Sequence, residues 1–152
     1  MSSSPPSEEV LQAYYSGIGS FGKLCGTTDP SFQHDVPYQP AMDGTFAVGK
    51  RLARVGSHPI QAYFSFVAPP RNRDLPARII RAIIECGLRN VFKVFNVLRI
   101  GDAPRDSELP PKILINVEAG QVSWADGMAL AQRCRSEVRR FGIHDVHCEV
   151  YE

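Results

Sequence analysis

Two matching junctions between a helix and a strand constrain the fold of this 152-residue chain more than any other feature. Residues 87–91 read GLRNV, and residues 142–146 read GIHDV. In each, a glycine can end a helix in the left-handed conformation, an aliphatic residue can pack back on that helix, and Asn or Asp can turn the chain into a strand. The repeat predicts two β-α-β units. We therefore expect an α+β fold of the ferredoxin-like split βαβ type, an antiparallel sheet with two helices on one face.

The segments around these junctions carry helical and strand patterns. Apolar residues at helical spacing predict one helix from Asp74 to Gly87 and a second from Ser123 to Phe141, with Ser123 as a capping residue. Runs rich in β-branched and aromatic residues predict three strands, at residues 91–100, 112–118 and 146–151.

The first strand of the repeat has two candidate positions. Residues 59–68 (PIQAYFSFVA) alternate apolar and other side chains, which is typical of a half-buried strand. Ser57, His58 and Pro59 can equally start a short helix, in which case the strand lies within residues 45–55. We favour residues 59–68.

The N-terminal third of the chain is rich in Ser, Pro, Gly and Gln. Such a segment lacks a continuous apolar pattern, so we expect residues 1–43 to form a flexible extension that buries little. The organised α+β domain is then predicted to span residues 44–152.

Gly17, Gly19 and Gly22 have the spacing G-x-G-x-x-G. A dinucleotide-binding loop of this spacing follows a buried strand and opens a helix. Here the preceding residues 8–15 (EEVLQAYY) predict a short helix, and Asp29-Pro30 prevents a long helix after the glycines. We therefore predict a flexible connector and no nucleotide cofactor.

Charge and composition exclude several classes of partner. The formal net charge of +1 creates no global field for nucleic acid or an anionic membrane, and no apolar run is long enough to span a bilayer. The N-terminal residues MSSSPPSEEV lack the pattern of a signal peptide, so we expect a cytoplasmic protein whose four cysteines are reduced.

Four segments resemble a known group of proteins. Residues 56–60 (GSHPI), 98–101 (LRIG), 111–117 (PKILINV) and 142–149 (GIHDVHCE) are similar to segments of a large, uncharacterised family of filamentous-fungal proteins. The resemblance covers roughly residues 55–152. It implies the same architecture and a fungal source, and it brings no catalytic residue with it.

Strand alternation predicts an apolar outer face on the sheet. If Phe92 and Val94 point towards the helices, then Phe95, Val97, Leu114 and Tyr151 point away from them and form an exposed patch. Exposed patches of this kind mark protein interfaces. The main functional hypothesis is therefore a non-catalytic module that binds a protein partner, or itself as a homodimer, through the sheet face or edge.

The alternative hypothesis is a small α+β enzyme or ligand-binding protein. Glu118, His147 and Glu149 are predicted on the same outer face, where they could form an acid–base cluster. The pocket would lie between the sheet and the helices or at a dimer interface. His147 and Cys148 point to opposite faces of a strand, so we predict no metal site in residues 144–149.

Overall fold

The computed structural model describes residues 5–43, 46–64 and 74–152. In chain order the elements are α1 (Glu8–Ala13), β1 (Leu24–Thr27), β2 (Ala41–Asp43), β3 (Phe46–Val48), β4 (Arg51–Ala53), a 3-10 helix (Pro59–Tyr63), α2 (Asp74–Glu85), β5 (Phe92–Gly101), a 3-10 helix (Asp106–Glu108), β6 (Pro111–Val117), α3 (Trp124–Arg139) and β7 (His147–Tyr151). The two long helices and the three strands β5, β6 and β7 are confirmed.

The two helix-to-strand junctions behave as their sequences predict. Gly87 and Gly142 have φ angles of 78° and 77°, the left-handed conformation that ends a helix at low steric cost. The following Leu88 and Ile143 are both buried. At the start of α3, the Ser123 hydroxyl accepts a hydrogen bond from the Asp126 backbone N–H at 3.1 Å, which confirms the predicted cap.

The main sheet has five strands in the order β1-β7-β6-β5-β4, and β2 pairs with β3 separately. β6 and β7 are parallel and are joined by α3, whereas the other pairs of the main sheet are antiparallel. The α+β class is confirmed, but this strand order is not that of the ferredoxin-like split βαβ fold. In that fold another strand separates the two that flank the second helix. Here α3 makes a direct crossover between neighbours, so the sheet is mixed.

The favoured position of the first strand was wrong where the structure describes it. Pro59–Tyr63 is a 3-10 helix, and the His58 Nδ1 accepts a hydrogen bond from the Ile60 backbone N–H at 3.0 Å to start it. Residues 65–68 lie outside the described residues. The strand that pairs with β5 is β4, within the alternative range of 45–55.

A β-bulge changes which face of the sheet the side chains of β5 point to. The register with β6 shifts between Phe92 and Val94, so Phe95 lies opposite Ile115 and Val97 opposite Ile113. One extra residue reverses the alternation of everything that follows it. Phe95 and Val97 therefore pack against the core beneath α2 and α3, and the prediction that they point outward was wrong. Val94, expected inside, is 46% exposed.

The other face of the sheet is covered by the N-terminal segment, which we call the strap (residues 5–23). Leu11 and Tyr15 of the strap form a second core with Leu114 and Tyr151, all of them buried. Phe21 stacks on the Tyr151 ring with centroids 4.0 Å apart. Burying each such side chain contributes roughly 1.5–3 kcal/mol.

Two sequence predictions are corrected by this arrangement. Described residues 5–43 are not an extension that buries little, since they supply a helix, strand β1 of the main sheet, strand β2 and half of the second core. Leu114 and Tyr151 do lie on the predicted outer face, but the strap covers them. The physical reason is that both faces of this sheet carry apolar side chains, so each face needs a covering layer.

Candidate functional site

A cluster of buried polar side chains lies between the strap and the sheet. The Glu149 carboxylate is fully buried, and the Tyr14 and Tyr15 hydroxyls donate hydrogen bonds to it at 2.5 and 2.8 Å. The Thr27 hydroxyl donates to it at 2.7 Å, and the Lys112 ammonium at 2.9 Å. We call these five residues, with Asp29, the charge cluster.

Lys112 joins the two carboxylates of the charge cluster. It is 4% exposed, and its ammonium lies 2.7 Å from Asp29 and 2.9 Å from Glu149. Burial alone would lower the pKa of Lys112, but the carboxylate charges of Glu149 and Asp29, together with the Tyr14 hydroxyl, raise it above its ordinary value. Burial raises and the Lys112 ammonium lowers the pKa of Asp29, and the result is about 2. Lys112 and Asp29 are therefore both held in their charged forms.

The sheet explains why these side chains meet. β6 and β7 are parallel neighbours in which Lys112 lies opposite His147 and Leu114 opposite Glu149, so Lys112 and Glu149 share the strap face. Thr27 of β1 lies opposite Glu149 on the other side. The strap then brings two tyrosines to the same point. Four separate parts of the chain are needed to build the charge cluster.

A cavity of about 620 Å³ opens above the charge cluster. It lies between the strap, the loop of residues 29–39 and the sheet, and we call it the strap cavity. Its volume falls in the range of small-molecule sites, roughly 300–1,000 Å³. Its apolar lining includes Phe32, Val36, Ile100 and Leu109, and its charged lining consists of Asp29, Lys50, Asp102, Glu108, Lys112 and Glu149.

Lys50 lies in the wall of the strap cavity among aromatic rings. Its Nζ is 3.2 Å from the Tyr14 ring centroid, 4.5 Å from that of Tyr38 and 5.7 Å from that of Tyr15. None of the described carboxylates forms an ion pair with it. Burial lowers the pKa of Lys50 to about 8, and the effect of Glu149, which raises it, is opposed by that of Lys112.

The glycine motif does not have the structural context of a nucleotide-binding loop. Instead, it helps to position Lys50. It follows a helix and precedes a strand, the reverse of the order that a dinucleotide loop needs. The Lys50 backbone N–H donates a hydrogen bond to the Ser16 carbonyl at 2.7 Å. Gly17 permits this approach, because an added Cβ there would lie 2.6 Å from the Lys50 carbonyl oxygen.

The predicted acid–base cluster does not assemble. Glu149 belongs to the charge cluster, whereas Glu118 is exposed beyond the end of β6. His147 lines a second cavity of about 560 Å³, between the end of β1 and α3. Its Nδ1 lies 3.0 Å from both the Thr28 hydroxyl and an Arg135 guanidinium nitrogen. Burial, followed by the charge of Arg135, lowers the pKa of His147.

Two of the segments that carry the family resemblance meet in space. His58 Nε2 lies 2.7 Å from an Asp145 carboxylate oxygen. Burial raises and His58 lowers the pKa of Asp145, with a net decrease. The contact ties the 3-10 helix to the junction before β7. This contact gives both His58 and Asp145 a structural role.

Sequence reasoning missed most of the charge cluster. The predicted flexible segment included four of its residues, Tyr14, Tyr15, Thr27 and Asp29. Lys50, in the wall of the strap cavity, belonged to no sequence pattern. One signal was present: a lysine, Lys112, in a strand that is otherwise almost entirely apolar. A charged residue in such a strand needs a buried partner.

No family model, curated protein or solved structure matches the chain.

Within residues 5–43, 46–64 and 74–152, no group of three or more His, Cys, Asp or Glu side chains could hold a metal ion. In the same part of the chain, no helix combines the length and the apolar character needed to cross a membrane.

Proposed function

We propose that the protein binds a small, uncharged organic molecule in the strap cavity. The observation that carries the proposal is a cavity of about 620 Å³ whose floor is a fully buried, ion-paired carboxylate. Burying charges is unfavourable unless the geometry is well satisfied, and perturbed ionisable groups beside a cleft are typical of functional sites. This proposal follows the ligand-binding part of the alternative hypothesis. The pocket, however, lies between the strap and the sheet and not between the helices and the sheet.

The charges around the strap cavity disfavour an anionic ligand, and its apolar lining favours an organic one. Four carboxylates line it, against the two amines of Lys50 and Lys112, so an anionic molecule meets net repulsion. The Lys112 charge is already neutralised by Glu149 and Asp29. Phe32, Ile100 and Leu109 supply the apolar surface on which a ligand body would lie.

A screen of small uncharged fragments by ligand-observed NMR tests the proposal. We expect fragments to bind at micromolar to millimolar affinity, and we expect Val36→Trp to abolish binding. Val36 is an exposed residue of the cavity lining, so an indole there narrows the cavity without disturbing the core. Val94→Trp, at an exposed position of β5 outside the cavity lining, is the matched control and should bind normally. Binding that survives Val36→Trp would refute this location.

A second candidate function is self-association, the original interaction hypothesis on a different surface. Ile80 and Ile84 lie one turn apart on α2 and are 38% and 48% exposed. The strap covers Leu114 and Tyr151, and Phe95 and Val97 pack against the core, so α2 replaces the predicted sheet patch as the proposed contact. Ile84→Glu should convert a dimer to a monomer in size-exclusion chromatography, whereas elution of the unmodified protein as a monomer would remove this candidate.

A further inference from the structure

We propose that Lys50 is a nucleophilic amine that condenses with small uncharged aldehydes or ketones in the strap cavity. This rests on the proposed function, because the carbonyl compound must occupy the same cavity. Its basis is the position of one amine: in the wall of a cavity, among aromatic rings and away from any ion pair with the described carboxylates.

A comparison of the four lysines of the chain singles out Lys50. Lys23 pairs with Glu8 at 3.2 Å, and Lys112 is buried between two carboxylates. Lys93 is exposed on β5. Lys50 alone combines a place in a cavity with the absence of an ion pair among the described residues.

The surroundings of Lys50 keep part of its amine in the neutral, nucleophilic form. Desolvation and a neighbouring cation are the two ways in which proteins activate lysine, and Lys50 has both, the cation being Lys112. With its pKa near 8, about a fifth of the amine is neutral at pH 7.4, compared with about 0.1% for an ordinary lysine. The charged groups that act on it in the opposite direction are the carboxylates of Glu149, Asp102 and Asp29.

The condensation is balanced and needs no oxidant. The nitrogen lone pair of Lys50 attacks the carbonyl carbon, and the π electrons move to the oxygen. The nitrogen then gives up two protons, both of which leave with that oxygen as one water molecule, and a C=N bond replaces the C=O bond. The Tyr38 hydroxyl, which donates to Asp102 at 3.0 Å, lines the same cavity and can relay a proton.

Reductive trapping of the full chain with benzaldehyde and sodium cyanoborohydride tests the inference. The reductant converts any imine to a stable benzylamine, which peptide mapping by mass spectrometry locates. Lys93 is the exposed control within the same molecule, and the N-terminal amine is mapped separately. At pH 7.4 we expect Lys50 to be labelled at least about tenfold faster than Lys93, because the lowered pKa of Lys50 leaves about a fifth of its amine neutral. At pH 9.5 the preference should shrink, because ordinary lysines then become partly neutral.

Each outcome decides the inference. Equal or faster labelling of Lys93 at pH 7.4 would overturn it, as would the same preference for Lys50 in urea-unfolded protein. Lys50→Arg keeps the positive charge and should lose the label. Fragment binding lost in Val36→Trp, together with no labelling of Lys50, would leave the proposed function standing and remove only the reactive amine. A fragment screen without any binding would remove the proposed function itself.

Discussion

Replacing Lys112 by Met should destabilise the protein strongly, because it leaves the buried Glu149 carboxylate and the partly buried Asp29 carboxylate without their counter-charge. Met has a similar length and fills much of the same space. The change removes ammonium contacts of 2.9 Å to Glu149, 2.7 Å to Asp29 and 3.2 Å to Tyr14. Breaking a buried pair from one side costs about 3–5 kcal/mol, a large part of the roughly 5–15 kcal/mol by which a typical domain is stable.

The double variant Lys112→Met with Glu149→Gln is the matched control. The amide introduced by Glu149→Gln would carry no charge, yet its carbonyl oxygen could still accept a hydrogen bond from Tyr15 or Thr27. We expect the double variant to be more stable than the sum of the two single changes predicts, by about 1–3 kcal/mol. That coupling energy measures how far the two groups act as a pair.

Urea unfolding at pH 7 provides the assay. The single tryptophan, Trp124, reports by fluorescence, and far-ultraviolet circular dichroism checks that the transition is two-state. A loss below about 1 kcal/mol for Lys112→Met, with strict additivity in the double variant, would refute the reasoning. It would show that water reaches Glu149 and that the charge cluster is not buried.

Three further predictions concern the register, a close contact and acid pH. Phe95→Glu should cost about 2 kcal/mol or more in urea unfolding, whereas the exposed Val94→Glu should be nearly neutral; the reverse order would contradict the bulge. Gly127→Val should prevent stable folding by circular dichroism, because an added Cβ would overlap the Cys25 backbone oxygen, and Gly19→Ala, with open space, should be tolerated. Asp29, with its pKa lowered to about 2, contributes stability above its unfolded value of about 3.9 that is lost as the pH falls towards 2. Thermal unfolding between pH 2 and 7 should show this loss in the unmodified protein and a smaller one in Asp29→Asn.

The sequence was sufficient for elements whose signals are local. Helix caps, helical spacing and the two terminal glycines predicted α2, α3 and the strands after them, because these interactions occur within a few residues of one another. The alternation of β6 and β7 was also predicted correctly. The predicted alternation of β5 was wrong, because no local sequence signal indicates the bulge that turns Phe95 and Val97 to the opposite face of the sheet.

By itself, then, the sequence determined the α+β class, the helix ends and the apolar faces of β6 and β7. Only the tertiary structure decided the strand order, the covering of the second face by residues 5–23, and the charge cluster. Those features depend on contacts between distant segments: the Tyr14 hydroxyl and Glu149 are 135 residues apart in the chain. The strap has a helical pattern only in residues 8–15, and the glycines and serines that follow are typical of a connector. Its tyrosines become core residues because the sheet offers an uncovered apolar face and a carboxylate that needs donors.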